Sequence, residues 1–199
     1  MGDMTRGKGN THVLPHNGKL MALEEAHWPW LVDGNLNTVG YENYGGALTC
    51  SMTAHPKICP ETGELLAFSY MAFEPPYVHY VRISPDGKLQ QIEGVDIPAM
   101  VMMHDFNVTR NKVIFMDLPL VFDLNQLDTG VPFKFNRDNG ARLGVMDREG
   151  KGSDIKWFDI DPCYVFHPVN AHDEGDNVVL YVSRQPDAFG SSSDDYAQD

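Results

Sequence analysis

Apolar positions along this chain come in short runs with a period of two, and helical periodicity is almost absent, which predicts an all-β protein. Residues 11–14 and 19–25 read as the arms of a hairpin, since the Asn17-Gly18 between them is the strongest short hairpin signal. Residues 26–47 carry two Trp, a Pro and several Gly and Asn, and read as a loop with short extended pieces. Strands are predicted over 48–53 and 64–71. A second hairpin joins 77–83 to 89–92 through Ser84-Pro85-Asp86-Gly87-Lys88. Further strands fall over 100–109, 112–117, 143–147 and 155–159, and a last pair over 163–166 and 177–183. Residues 118–142 read as irregular with a helical turn near 122–127, and 186–199 as a disordered tail low in apolar residues.

One pattern recurs three times: a histidine in a β-like segment, a polar turn, then an apolar strand. Ala54-His55-Pro56 leads through Glu61-Thr62-Gly63-Glu64 into Leu65-Leu66-Ala67-Phe68. Met103-His104-Asp105-Phe106 leads through Thr109-Arg110-Asn111 into Lys112-Val113-Ile114-Phe115. Phe166-His167-Pro168 leads through Asp173-Glu174-Gly175-Asp176 into Val178-Val179-Leu180-Tyr181. The intervals, 49 positions from His55 to His104 and 63 from His104 to His167, each hold about four strands, one blade of a propeller. A propeller sets the start of each blade's innermost strand near its axis, so one histidine per blade would converge there. A sandwich could use the same strands but gives no reason for the unit to recur.

With 199 residues the chain is long enough for one domain and short for two. Its formal charge of −13 argues against nucleic acid and disfavours anionic membrane surfaces, although a local apolar patch could touch lipid peripherally. Cys50, Cys59 and Cys163 are odd in number and form no CxxC pair, which suits buried reduced thiols. No apolar run approaches the roughly 20 residues that span a bilayer, and the first residues lack a signal-peptide core. A cytoplasmic protein is expected.

Imidazole suits Fe(II), Zn, Cu and Ni, and binds them as the neutral ring. An all-histidine site leaves the ion's charge uncompensated, so carboxylates must accept the other ring N–H. Glu24 and Glu25 end an otherwise apolar strand, so one of them points inward, where a metal-bound histidine would be its partner. A lone strand histidine is usually a hydrogen-bonded core residue; three in equivalent units put a shared metal on an equal footing. His12, His16, His27, His79 and His172 show no such repeat and read as surface or packing residues. Met100, Met102 and Met103 read as core. A zinc hydrolase is a further reading, disfavoured because no general base stands beside the histidine units.

These stretches, with Asn10-Thr11-His12-Val13, Ala22-Leu23-Glu24-Glu25 and Phe166-His167-Pro168-Val169-Asn170-Ala171, resemble the carotenoid cleavage oxygenases over about residues 10–185. The family also includes stilbene dioxygenases and the retinoid isomerase of the eye. The resemblance implies a seven-bladed β-propeller with Fe(II) held by four histidines, three of them braced by glutamates. His55, His104 and His167 match the first three ligands, and Glu25 the first brace. It also implies that O2 and an apolar alkene meet at the iron, where a C=C bond is split into two carbonyl products. No histidine follows His172, so the chain reads as a single partial propeller domain of about three blades, an internal piece expected to be inactive and aggregation-prone alone. Asp173 stands near a position where many members carry Glu. Stilbene cleavers commonly place Lys just before the bracing glutamate; Glu24 there would repel a phenolate and points to a carotenoid or apocarotenoid. A stilbene-type dioxygenase and a non-catalytic propeller module with an empty metal site are the alternatives.

Overall fold

Period-two segments need partners for their backbone amides, and in the computed structural model, which describes residues 3–189, they find them almost wholly in antiparallel hairpins. The chain divides into two units, one ending at Ile97 and the other beginning at Pro98.

In the first unit, β1 (His12–His16), β2 (Lys19–Leu23), β3 (Trp30–Val32) and β4 (Thr38–Tyr41) form a meander in chain order. Its opening turn is the expected one: Asn17 and Gly18 take positive φ, 47° and 69°, a region that favours exactly such short or side-chain-free residues, and His16 faces Lys19. A second meander follows: β5 (Lys57–Ile58), β6 (Leu65–Ser69), β7 (Val78–Ile83) and β8 (Leu89–Val95). The core lies between the two sheets, with Met21 and Leu23 of β2 clustered with Leu65, Ala67, Val81 and Ile83. Both faces of β6 are covered, which is why Leu65-Leu66-Ala67-Phe68-Ser69 shows no alternation.

Residues 48–53 are not the expected strand. Leu48, Cys50 and Met52 join the core as an extended wedge whose hydrogen bonds go to scattered partners. Leu48 N–H donates to Asn43 (3.0 Å), Met52 N–H to His27 (3.2 Å) and Thr53 N–H to Phe68 (2.7 Å). Hydrophobicity reported burial there, not pairing.

In the second unit, β9 (Asn107–Val108) and β10 (Lys112–Asp117) are followed by an inserted hairpin of β11 (Leu120–Phe122) and β12 (Phe133–Phe135), joined through a 3-10 turn at Leu124–Thr129. The chain then returns as β13 (Ala141–Asp147) and β14 (Lys156–Ile160), giving the sheet order β14-β13-β10-β9. A final hairpin pairs β15 (Pro168–Glu174) with β16 (Asn177–Val182). Only 107–108 of the expected strand 100–109 pair with β10; Met100 and Met102 instead exchange backbone bonds with Phe122 and Leu120 of the inserted hairpin. Likewise, 163–166 is no strand: Tyr164 makes an isolated bridge to Gln185, and β16 pairs with 168–174. Of residues 186–189, expected in the disordered tail, Ala188 is buried in the core, while Pro186 and Phe189 are exposed; 190–199 lie outside the described residues. All three cysteines are buried, and none forms a disulfide among the described residues. No described helix is long and apolar enough to cross a membrane.

Candidate metal centre

Each of the three repeated histidines stands just ahead of the first strand of its sheet rather than within it: His55 before β5, His104 before β9 and His167 before β15. A side chain leaving the chain at a strand's mouth is free of the ladder yet fixed by it.

His55 belongs to the first unit. Its N–H donates to Thr53 Oγ1 (3.0 Å), and the preceding carbonyl, of Ala54, accepts from His12 Nδ1 (2.9 Å). That bond gives His12 a function that its sequence context did not show, since it ties β1 to the segment that aims His55. His55 Nε2 stands 3.7 Å from Glu25 Oε1, just beyond hydrogen-bond reach. Glu25 Oε2 accepts the Tyr70 hydroxyl, so a phenol 45 positions away orients the carboxylate. The neighbouring Glu24 turns instead to His27. Nothing in the sequence pattern singled out Tyr70, because its role depends on a contact made only after folding.

A cleft of about 520 Å³ opens beside these segments, with Ala26 and His27 following Glu25, and Met71 and Phe73 following Tyr70, in its wall. Cys50 also lines it, and burial pushes its thiol up to about 12, so it stays protonated and unreactive. His79, in the same wall, has a buried Nδ1 without a hydrogen-bond partner, and burial lowers its pKa.

His104 and His167 belong to the second unit. Their Nε2 atoms are 3.1 Å apart, with ring centroids at 4.8 Å and planes inclined by 65°. Phe166 packs edge-on against His104 at 5.7 Å and is itself held by Tyr164 and Phe189. Tyr164 in turn donates its hydroxyl to Met102 O (2.8 Å), two residues before His104. Two facing imidazole nitrogens can do one of two things: share a single N–H, or point both lone pairs at one cation. Nitrogens each about 2.1 Å from an ion, at an angle near 90°, stand about 3.0 Å apart, so the pair has the bite of two adjacent metal ligands. His172, exposed, stacks on Tyr181 and takes no part.

Known proteins share this chain's sequence and architecture. The family described as Retinal pigment epithelial membrane protein matches residues 2–199. The carotenoid 9,10(9',10')-cleavage dioxygenase of Crocus sativus is 46% identical over 185 residues, covering 89% of this chain and 34% of the relative. Among solved structures, the lignostilbene dioxygenase of Pseudomonas brassicacearum superposes with a TM-score of 0.79 at 35% identity, covering 89% of this chain and 38% of that one. The cobalt-substituted ACO of Synechocystis superposes at 0.74 with 24% identity, over 89% of this chain and 40% of its own, a likeness of fold. The chain thus spans about a third of the length of the curated relative. With its blade-sized antiparallel sheets, it is an all-β chain forming part of a β-propeller.

Proposed function

The chain belongs to the retinal pigment epithelial membrane protein family, that of the carotenoid cleavage oxygenases, and from that premise we propose, for a full-length protein of which this chain supplies about a third and not for this chain alone, a non-haem Fe(II) dioxygenase that splits a C=C bond of a carotenoid or apocarotenoid into two carbonyl products. His55, His104 and His167 hold the iron in this reading, and Glu25 braces His55. The observation that carries it is the facing pair: two imidazole nitrogens 3.1 Å apart have the spacing of neighbouring ligands on one ion. The bound iron supplies the one-electron and O2 chemistry that side chains lack.

The residues of the chain do the rest. His104 and His167 must both be neutral to bind, and the phenyl ring of Phe166, edge-on to His104, holds the plane of that imidazole. Glu25, steered by Tyr70, faces one nitrogen of His55 and leaves the other for the ion. The Glu25 carboxylate behind His55 would compensate part of the ion's charge. An apolar alkene is favoured by the Met71, Phe73, Pro75 and Pro76 wall of the cleft, which removes hydrocarbon from water. Glu24, one residue before the bracing carboxylate, disfavours a phenolate and so selects carotenoid over hydroxystilbene. Three buried cysteines outside disulfides fit a reducing cytoplasm.

The test is to assay the iron-loaded full-length protein under O2 against a β-apocarotenal and a hydroxystilbene, with His104→Ala alongside. Cleavage of the apocarotenal, and loss of both iron and turnover in the variant, is expected. Cleavage of the stilbene alone would overturn the substrate choice, and iron retained by the variant would overturn the ligand set.

A further inference from the structure

Resting on that metal reading, we propose that Asp173 is a positioning residue: its carboxylate fixes the register of the two segments that present His104 and His167. β9 and β15, the strands that follow these histidines, touch but belong to different sheets, so no ladder of backbone hydrogen bonds sets how far one lies along the other. Side chains must do it. Asp173 lies six positions after His167, on β15, and Thr109 lies five positions after His104, just past β9.

There the two segments are fastened. Thr109 Oγ1 donates to Asp173 Oδ1 (2.7 Å), and both the N–H (3.2 Å) and the Nδ2 (3.0 Å) of Asn111 donate to Asp173 Oδ2. The Thr109 hydroxyl also accepts from the N–H groups of Asn111 (3.2 Å) and Lys112 (2.9 Å), so its one proton is committed to Asp173. Thr109 is buried, which makes a lost partner costly. A carboxylate with both oxygens occupied cannot slide by a residue without breaking all three bonds. Such a slip moves a strand by about 3.3 Å, as large as the separation of the two imidazole nitrogens, and would destroy their bite.

The protein loaded with Co(II) tests this. Asp173→Ala should lower Co(II) affinity by about tenfold or more and alter the cobalt visible spectrum, while the conservative Asp173→Glu recovers most of both. Thr109→Val, which removes the donor from the other segment at nearly constant shape, should reproduce the loss. The double variant should be no worse than Asp173→Ala, because the two residues form one contact. Nitrogen-15 spectra of histidine-labelled, metal-free protein give a second readout: the shared-proton signature of the facing imidazoles should vanish in Asp173→Ala. Wild-type affinity and an unchanged cobalt spectrum in both single variants would overturn the positioning role with the metal site intact. Failure of the wild type to bind Co(II), with the imidazole signature still lost in Asp173→Ala, would overturn the metal reading and uphold the positioning of the pair.

Discussion

Two titratable residues, one buried and one half-buried, set opposite pH trends. Asp117, at the end of β10, is 2% exposed, and its Oδ2 accepts from Arg142 Nε (2.8 Å), directly across the ladder. Desolvation raises its pKa above 3.8 despite the guanidinium, which is shared with the Trp157 ring 3.9 Å away. A folded-state pKa above the unfolded value means the folded protein holds the proton longer. This contribution is therefore fullest below 3.8 and declines as pH rises through the raised folded value. His79 works the other way. Its pKa is depressed below 6.5 by burial, so its contribution is full above 6.5 and is lost as pH falls toward the depressed value. Asp117→Asn should flatten the pH dependence of stability on the acid side, and His79→Gln the loss that begins below 6.5, both read from denaturant midpoints across the range. Arg142→Ala, which leaves the Asp117 charge buried and unpaired, should cost about 3 kcal/mol at neutral pH.

At the scale of strands, β13 and β14 meet through Gly144 opposite Trp157. A Cβ built on Gly144 would stand 2.7 Å from the Trp157 ring, which covers the backbone there and carries Arg142 on its face. Gly144→Ala should lift the indole, release the guanidinium and cost about 1–3 kcal/mol, seen as a lower Tm and a shifted tryptophan emission. What the sequence disclosed at this scale follows from which forces are local. Turn chemistry is local, so the Asn17-Gly18 hairpin, the turn at 84–88 and the strand Lys112–Asp117 were all readable. Pairing is not local, so the apolar segments 48–53 and 163–166 passed for strands although they serve as core wedges. The hairpin of β11 and β12 hid among the prolines and aspartates of 118–142, because each arm is only three residues long. The histidine units were visible as a repeat, but the contacts that aim them (Tyr70 on Glu25, His12 on Ala54, Asp173 on Thr109) join positions 42 to 64 apart and carry no periodic trace.

At the scale of the whole molecule, metal binding by the proposed ligands can be read as a gain in stability of the folded state. An ion that binds only the folded state stabilises it by about 2.7 kcal/mol at a hundredfold excess over Kd. For a chain of 199 residues that raises Tm by roughly 5 to 11 °C. Anaerobic Fe(II) should therefore raise the Tm by such an amount, and a chelator should reverse it. His55→Ala in the first unit and His104→Ala in the second should each abolish the shift, whereas His172→Ala, whose ring rests on Tyr181, should keep it. The comparison between the first two variants decides the matter. A shift lost in His104→Ala but retained in His55→Ala would confine the ion to the His104–His167 pair and remove His55 from the ligand set. Loss in both, by equal amounts, is what a single ion gripped by distant parts of the chain requires.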